Sequence, residues 1–299
     1  MQAARPRPAL RAILIDISGT LPVGSTPTPR AVDVFRRLQE SCVPYRLCSN
    51  TSKESTRDVS ARLRGLGFRI QDESNTTRSS NKPPREIWTS IGAVRSVMED
   101  LGVRRPYLLL SNSARQELMA GSDTNLELDE DKTPYDGVVV GLCPARLDYA
   151  HLNTAFRILA REHPTLSARP PVLIAAHAGR VLEATTGGLA LGPGPFVKAL
   201  EHAARVKAHV VGKPARAFFE AVIGDIDAYG GEPEPGARIA IIGDDVEADL
   251  GEGAQELGLW RVLVRTGKYR PGDEHRPDVP PDEVVDSFAT FVESLMAAR

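Results

Sequence analysis

Short aliphatic and β-branched runs alternate with amphipathic segments along most of the chain. They fall at Ala12–Ile15, Tyr45–Leu47, Leu108–Leu110, Gly137–Val140, Val172–Ala175, Ala208–Val211, Arg238–Ile242 and Arg261–Val264. Apolar runs this short, without polar alternation, fit strands buried on both faces. The segments between them carry helix-start signals: Ser52 before a charged stretch, Thr89 before Ile91–Leu101, Pro195 before Phe196–Arg205 and Pro214 before Phe218–Ile223. Strand then helix, repeated, predicts an α/β fold with a Rossmann-like, doubly wound, mainly parallel sheet covered on both faces. Phe218 and Phe219 then fit a helix packed on that sheet better than a stacking platform.

With 299 residues, 41% of them hydrophobic, the chain can bury more than one core. Its 37 Lys and Arg against 39 Asp and Glu give a net charge of −2 with no basic block, which argues against nucleic acid as the main partner. Three cysteines, Cys42, Cys48 and Cys143, fit neither a disulfide framework nor a zinc cage and suit a reducing compartment. The apolar run Ile13–Ile15 stops at Asp16, and no run approaches the ~20 residues that span a bilayer. The expectation is a soluble cytoplasmic protein, with the nucleus as a second compartment, and no membrane partner. Two polar stretches, Gln71–Arg85 and Gly121–Tyr135, break the rhythm and read as surface connections. No internal repeat is found.

Four polar groups follow apolar strands directly, which is where open parallel sheets build their sites. Asp16 ends the first run and is followed by Ser18, Gly19 and Thr20; a lone Asp here is commonly only a turn former. Leu47 leads into Cys48, Ser49, Asn50, Thr51 and Ser52, which fits an anion cradle or simply an N-cap by Ser52. Lys213 follows Val210–Gly212, although a lysine alone is usually solvated and inert. Asp244, Asp245, Glu247 and Asp249 crowd behind Ile241–Gly243; acids so close repel each other unless a cation neutralises them, which favours a hard, oxygen-liganded metal site. The six histidines show no close metal-ligand pairing and carry little weight.

The order of these four strand ends resembles the four-motif layout of the haloacid dehalogenase superfamily. DxxGT stands at Asp16–Thr20, the hydroxyl motif at Ser49–Asn50, the lysine at Lys213 and GDxxxxD at Gly243–Asp249. Ser18, the strings GLALGPGPF (188–196), VVGKP and IIGDD, and RTGKYRPGDEH (265–275) are similar to its IIA subgroup of capped phosphatases. The likeness covers nearly the whole chain, with the polar stretch Gln71–Arg85 as its main departure.

That resemblance implies a catalytic core of residues 1–85 plus 196–299 and an inserted α/β cap of residues 86–195. It implies that Asp16 is the nucleophile and that Mg²⁺ is held by Asp16, the Ser18 carbonyl and Asp244, steadied by Asp245 or Asp249. Ser49, Asn50 and Lys213 would bind phosphate, with Lys213 also relieving repulsion between Asp16 and Asp244. Cap residues near His177–Arg180 and Thr185–Leu191 would meet the substrate. The Gly192–Pro195 run reads either as a hinge or as a rigid start to the next helix. A homodimer formed through the cap is also implied.

Position 18 departs from the wider phosphatase pattern, which has a second Asp there as general acid and base. A serine hydroxyl is far too weak an acid, and such assistance contributes about 10² to 10⁴ in rate. The expected substrates are therefore small phosphates or phosphorylated side chains whose leaving group departs easily: pyrophosphate, phosphohistidine or phospholysine. The alternatives are a catalytically weak metal-binding regulatory protein with the same fold and a carbon–halogen hydrolase. The latter needs no metal and would leave the acid cluster unexplained.

Overall fold

A computed structural model describes residues 6–71, 85–119, 134–164, 168–184, 188–229, 235–278 and 280–297. Most of the two polar connections, at 72–84 and 120–133, and residues 185–187 of the expected cap contact region lie outside the described residues.

In chain order the first elements are β1 (Leu10–Asp16), the short hairpin β2 (Pro22–Val23) and β3 (Thr26–Pro27), α1 (Ala31–Glu40), β4 (Tyr45–Ser49), α2 (Thr56–Gly65) and β5 (Ile87–Thr89). The middle of the chain forms α3 (Ser90–Asp100), β6 (Pro106–Leu109), α4 (Asn112–Met119), β7 (Gly137–Val140), α5 (Tyr149–Leu159) and β8 (Val172–Ala175). A hairpin of β9 (Val181–Glu183) and β10 (Leu189–Leu191) leads to α6 (Gly194–Ala204) and β11 (Ala208–Val210). The chain then runs through α7 (Arg216–Tyr229), β12 (Arg238–Gly243), α8 (Glu252–Glu256), β13 (Trp260–Val264), β14 (Glu283–Val285) and α9 (Phe288–Ala297).

Two parallel sheets result, one ordered β14-β13-β12-β1-β4-β5 and the other β11-β8-β7-β6. The two-residue period of a strand explains how β1 is buried on both sides. Ile13 and Ile15 face Phe35, Leu38, Phe288 and Phe291, contributed by α1 and α9, whereas Ala12 and Leu14 face Phe218, Phe219 and Val222 of α7. The second sheet is covered in the same way. Leu109, Val138 and Leu173 pack with α5 and α6, and Leu108, Val139 and Ile174 pack with α3 and α4. No described helix is long and apolar enough to cross a membrane.

Several sequence readings shift. Strand β11 is only partly buried because it forms an edge of the second sheet. The sheet memberships also differ from the expected division at 86 and 195: β5 pairs with β4 in the first sheet, and α6 and β11 belong with the second. The N-cap of α2 is Ser55, not Ser52. Ser55 accepts from the Asp58 N–H at 3.1 Å, while the Ser52 hydroxyl instead accepts from the Leu142 N–H, at 2.8 Å, joining the two sheets' loops. Thr89 does cap α3, accepting from the Gly92 N–H at 3.0 Å. Gly194 opens α6, and its N–H donates to the Gly179 carbonyl at 3.0 Å, so the Gly-Pro run is a packed helix start.

Candidate active site

Strand register gathers the first sheet's polar ends. Ile15 pairs with Ile242 and Asp16 with Cys48, so Asp16, Ser49 and Asp244 leave adjacent strands at one carboxyl-terminal edge. Asp16, Ser18, Ser49, Asn50, Asp244, Asp245 and Asp249 line one cavity of about 580 Å³. The β2–β3 hairpin covers one side, and Leu142, His177 and the start of β9, all from the second sheet's connections, cover another. Lys213 lies beneath the floor, 1% exposed. It follows β11, so the lysine arrives from the second sheet and not, as the strand-end pattern suggests, from a strand beside Asp16.

The Lys213 ammonium donates to Asp16 Oδ1 at 2.6 Å, to Asp249 Oδ1 at 2.7 Å and to the Cys48 carbonyl at 3.0 Å. It therefore bridges Asp16 and Asp249, not Asp16 and Asp244 as expected. Burial opposes its charge, yet these two carboxylates hold its pKa above the ordinary lysine value. The Thr20 hydroxyl donates to Asp16 Oδ2 at 3.1 Å. Burial still dominates at Asp16, and with Asp249 nearby it lifts the carboxyl to about 6 despite Lys213 and Lys268. Burial raises Asp244 well above its usual value too. Desolvation of closely spaced carboxylates thus outweighs the two ammonium groups.

Lys268 is a site residue the motif reading did not single out. Its backbone N–H donates to Asp244 Oδ2 at 2.6 Å and its ammonium to Asp245 Oδ2 at 2.9 Å, while Asp245 Oδ1 accepts from the Glu247 and Ala248 N–H groups at 3.0 Å. The rule that polar residues after apolar strands build sites reaches it when followed four residues beyond the end of β13. Ser49 is buried, with its hydroxyl accepting from the Thr51 N–H at 3.2 Å. Asn50 donates to the Lys213 carbonyl at 2.7 Å, which ties the hydroxyl motif to the lysine segment. With α2 starting only at Thr56, its N-terminus does not directly back Ser49.

A cation fits this donor set. One oxygen each from Asp16, Asp244 and Asp249 lies within 4.8 Å of the others. Asp244 Oδ1 is buried without a hydrogen-bond partner, with only the Lys268 ammonium 3.9 Å away. Both Asp249 oxygens are engaged, one by Lys213 and the other by the Asp245 N–H at 3.1 Å. Asp16 is likewise engaged through both oxygens, by Lys213 and by Thr20, so among the three acids the carboxylate oxygen without a partner is Asp244 Oδ1.

Gly19 explains the glycine of the first motif. Its φ is +98°, and a Cβ there would stand 1.9 Å from Asp244 Oδ2. Gly19→Ala is expected to displace Asp244 and weaken divalent-cation binding about tenfold or more, with a stability cost of about 1–3 kcal/mol. Calorimetric metal titration and thermal unfolding check both effects.

The sequence matches the family described as haloacid dehalogenase-like hydrolase over residues 13–121 and a HAD-hydrolase-like family over residues 210–291. It is 40% identical to haloacid dehalogenase-like hydrolase domain-containing protein 2 of Homo sapiens, over 96% of both chains. The chain belongs to the haloacid dehalogenase-like hydrolases. Within that family it is also 34% identical to the Homo sapiens phospholysine phosphohistidine inorganic pyrophosphate phosphatase, covering 96% of this chain and 94% of that one. The fold matches a 4-nitrophenylphosphatase of Thermotoga maritima with a TM-score of 0.74 and 22% identity, over 95% and 97% of the two chains. This hydrolase has the α/β fold of that family.

Proposed function

We propose that the protein is a Mg²⁺-dependent phosphatase acting through an aspartyl-phosphate at Asp16. Its substrates are small phosphates or phosphorylated side chains with good leaving groups, such as pyrophosphate, phosphohistidine or phospholysine. The observation that carries this reading is the buried Asp16–Lys213–Asp249 bridge beside the unpartnered oxygen of Asp244. Asp16, the Ser18 carbonyl and Asp244 would hold Mg²⁺, which when bound supplies positive charge against the carboxylates and the incoming phosphate.

The Asp16 carboxylate attacks phosphorus in line and the bond to the leaving group breaks; water then attacks the phosphorus of the aspartyl-phosphate and restores Asp16. Lys213 orients the nucleophile from beneath the floor, and Ser49 and Asn50 line the side of the cavity that would face the phosphate. We assign the six-stranded sheet to the catalytic core and the four-stranded sheet to the cap, which shields the intermediate from bulk water.

Ser18 is exposed to the cavity and offers no proton at neutral pH, which supports substrates that need none from position 18. Turnover of pyrophosphate and imidodiphosphate is expected to exceed that of a simple alkyl phosphate at least tenfold. Phosphate-release assays on the three compounds check this, and faster alkyl ester hydrolysis would refute the preference. Chelation should abolish activity, and added Mg²⁺ should restore it. A metal-indifferent enzyme would point to the carbon–halogen reading, and a protein that releases no phosphate from any of them to a regulatory one.

The raised carboxyls also set a pH dependence. Folded Asp16 titrates near 6 in place of 3.8, so the metal-free site takes up a proton as pH falls through 6, and Mg²⁺ must expel it. Apparent Mg²⁺ affinity is expected to fall about tenfold or more from pH 7 to pH 5, more steeply if Asp244 protonates too. Isothermal titration at several pH values measures this. The sign for metal-free stability follows. The folded state binds this proton more tightly than the unfolded chain, so the group disfavours folding above about pH 6 and ceases to do so below its unfolded pKa.

A further inference from the structure

His177 lies just beyond β8 and projects from the second sheet's loops into the wall of the cavity that holds Asp16, Ser18, Asp244 and Lys268. Its Nδ1 accepts from the Gly179 N–H at 3.3 Å. A neutral imidazole that accepts at Nδ1 carries its proton on Nε2. Nε2 has no hydrogen-bond partner among the described residues, so this N–H is free to donate to a ligand. Desolvation, reinforced by the Lys268 and Lys213 ammonium groups and opposed only by Asp245, pushes the ring's pKa down to about 3 and keeps it neutral.

The loop bearing this ring is fixed from both sides. The Gly192 N–H donates to the Arg180 carbonyl at 2.9 Å and the Gly194 N–H to the Gly179 carbonyl at 3.0 Å. A Cβ on Gly192 would stand 2.2 Å from the Gly179 carbonyl oxygen, so the GPGP run packs backbone against backbone beneath the loop. Arg180 pairs with Glu247 at 2.8 Å, joining the same loop to the acidic segment after β12. A donor held on a rigid, packed loop needs little reorganisation during reaction.

We infer that His177 is a specificity-determining residue of this site: its Nε2–H donates a hydrogen bond to the leaving group of the phosphorylated substrate. The inference rests on the phosphatase reading above. As the bond to phosphorus breaks, its electron pair moves onto the leaving oxygen or nitrogen, and the hydrogen bond stabilises that developing charge. The proton stays on Nε2, so His177 lowers the demand on the leaving group without replacing the general acid that position 18 lacks. The more basic the leaving group, the more this bond matters.

The test compares wild type, His177→Phe and His177→Gln on aryl phosphates of increasing phenol pKa and on one alkyl phosphate. His177→Phe should lose kcat/KM progressively with phenol pKa, with a loss on phenyl and alkyl phosphates roughly 10- to 100-fold larger than its loss on 4-nitrophenyl phosphate. His177→Gln, which restores an N–H donor, should recover part of that loss. Independently of turnover, ¹⁵N spectra of the histidine ring should show Nε2 protonated and Nδ1 bare from pH 5 to 8. An equal loss on every ester, no loss on any, or a ring protonated at both nitrogens near pH 6 would overturn the inference alone. A wild-type protein that releases phosphate from no compound overturns the phosphatase reading and this inference together.

Discussion

Replacing Asp16 by Asn is expected to lower phosphate release from 4-nitrophenyl phosphate at least about 10⁴-fold while the fold persists. The amide keeps the shape of the carboxylate but is not a nucleophile, so the first displacement has no attacking group. Its oxygen can still accept from Lys213 while its NH2 donates to the Thr20 hydroxyl oxygen, and it removes one of the repelling buried charges. Because burial and Asp249 raise the Asp16 pKa, the charged form is disfavoured in the folded state at neutral pH. The metal-free Asn variant should therefore melt at or above the wild-type temperature, trading activity for stability. A variant that melts well below wild type would mean that the Asp16–Lys213 pair stabilises the fold more than its desolvation costs.

The second large effect is expected at Lys213. Lys213→Met keeps the length of the side chain but leaves the Asp16 and Asp249 carboxylates facing each other with no cation between them. Removing one member of a buried ion cluster typically costs about 3–5 kcal/mol. At pH 7 the metal-free variant should lose stability on that scale, and the deficit should shrink toward pH 5 as Asp16 takes up a proton. Turnover should fall about 10²- to 10³-fold, because the cation that orients the nucleophile and offsets the negative charge around it is gone. Adding Asp249→Asn to Lys213→Met should restore much of the stability and little of the activity. Unfolding and kinetic measurements on the single and double variants check this, and simple additivity in stability would contradict the bridge seen here.

The strands with long apolar runs, β1, β7, β8 and β12, are legible because burial on both faces demands continuous aliphatic sequence. Strands β5 and β14, and the β2–β3 and β9–β10 hairpins, contain two or three residues each and present no run to read. The membership of β11 is invisible for another reason. Val210–Lys213 reads as a strand end wherever the strand lies, and only the three-dimensional pairing with β8 places it in the second sheet. Helix starts are legible where a cap stands alone, as at Thr89, and ambiguous where hydroxyls repeat, as from Ser49 to Ser55.

At the site, Asp16, Ser49, Lys213 and Asp244 are readable because each follows an apolar run. What the sequence does not reveal is how the charges pair. Lys213 bridges Asp16 to Asp249 and Lys268 serves Asp244 and Asp245, an assignment set by register and loop packing and not by spacing along the chain. His177 carries no motif at all. Its position near the chemistry follows from the loop that Gly192 and Gly194 pin down.

Covalent trapping at position 16 addresses the nucleophile most directly. Protein mixed with 4-nitrophenyl phosphate and Mg²⁺ is acid-quenched during turnover, reduced with borohydride and digested, and its peptides are read by mass spectrometry. An acyl phosphate on Asp16 becomes homoserine at that position, only when substrate and metal are both present. Turnover with an unmodified Asp16, or phosphate carried on another side chain such as His177, would contradict it.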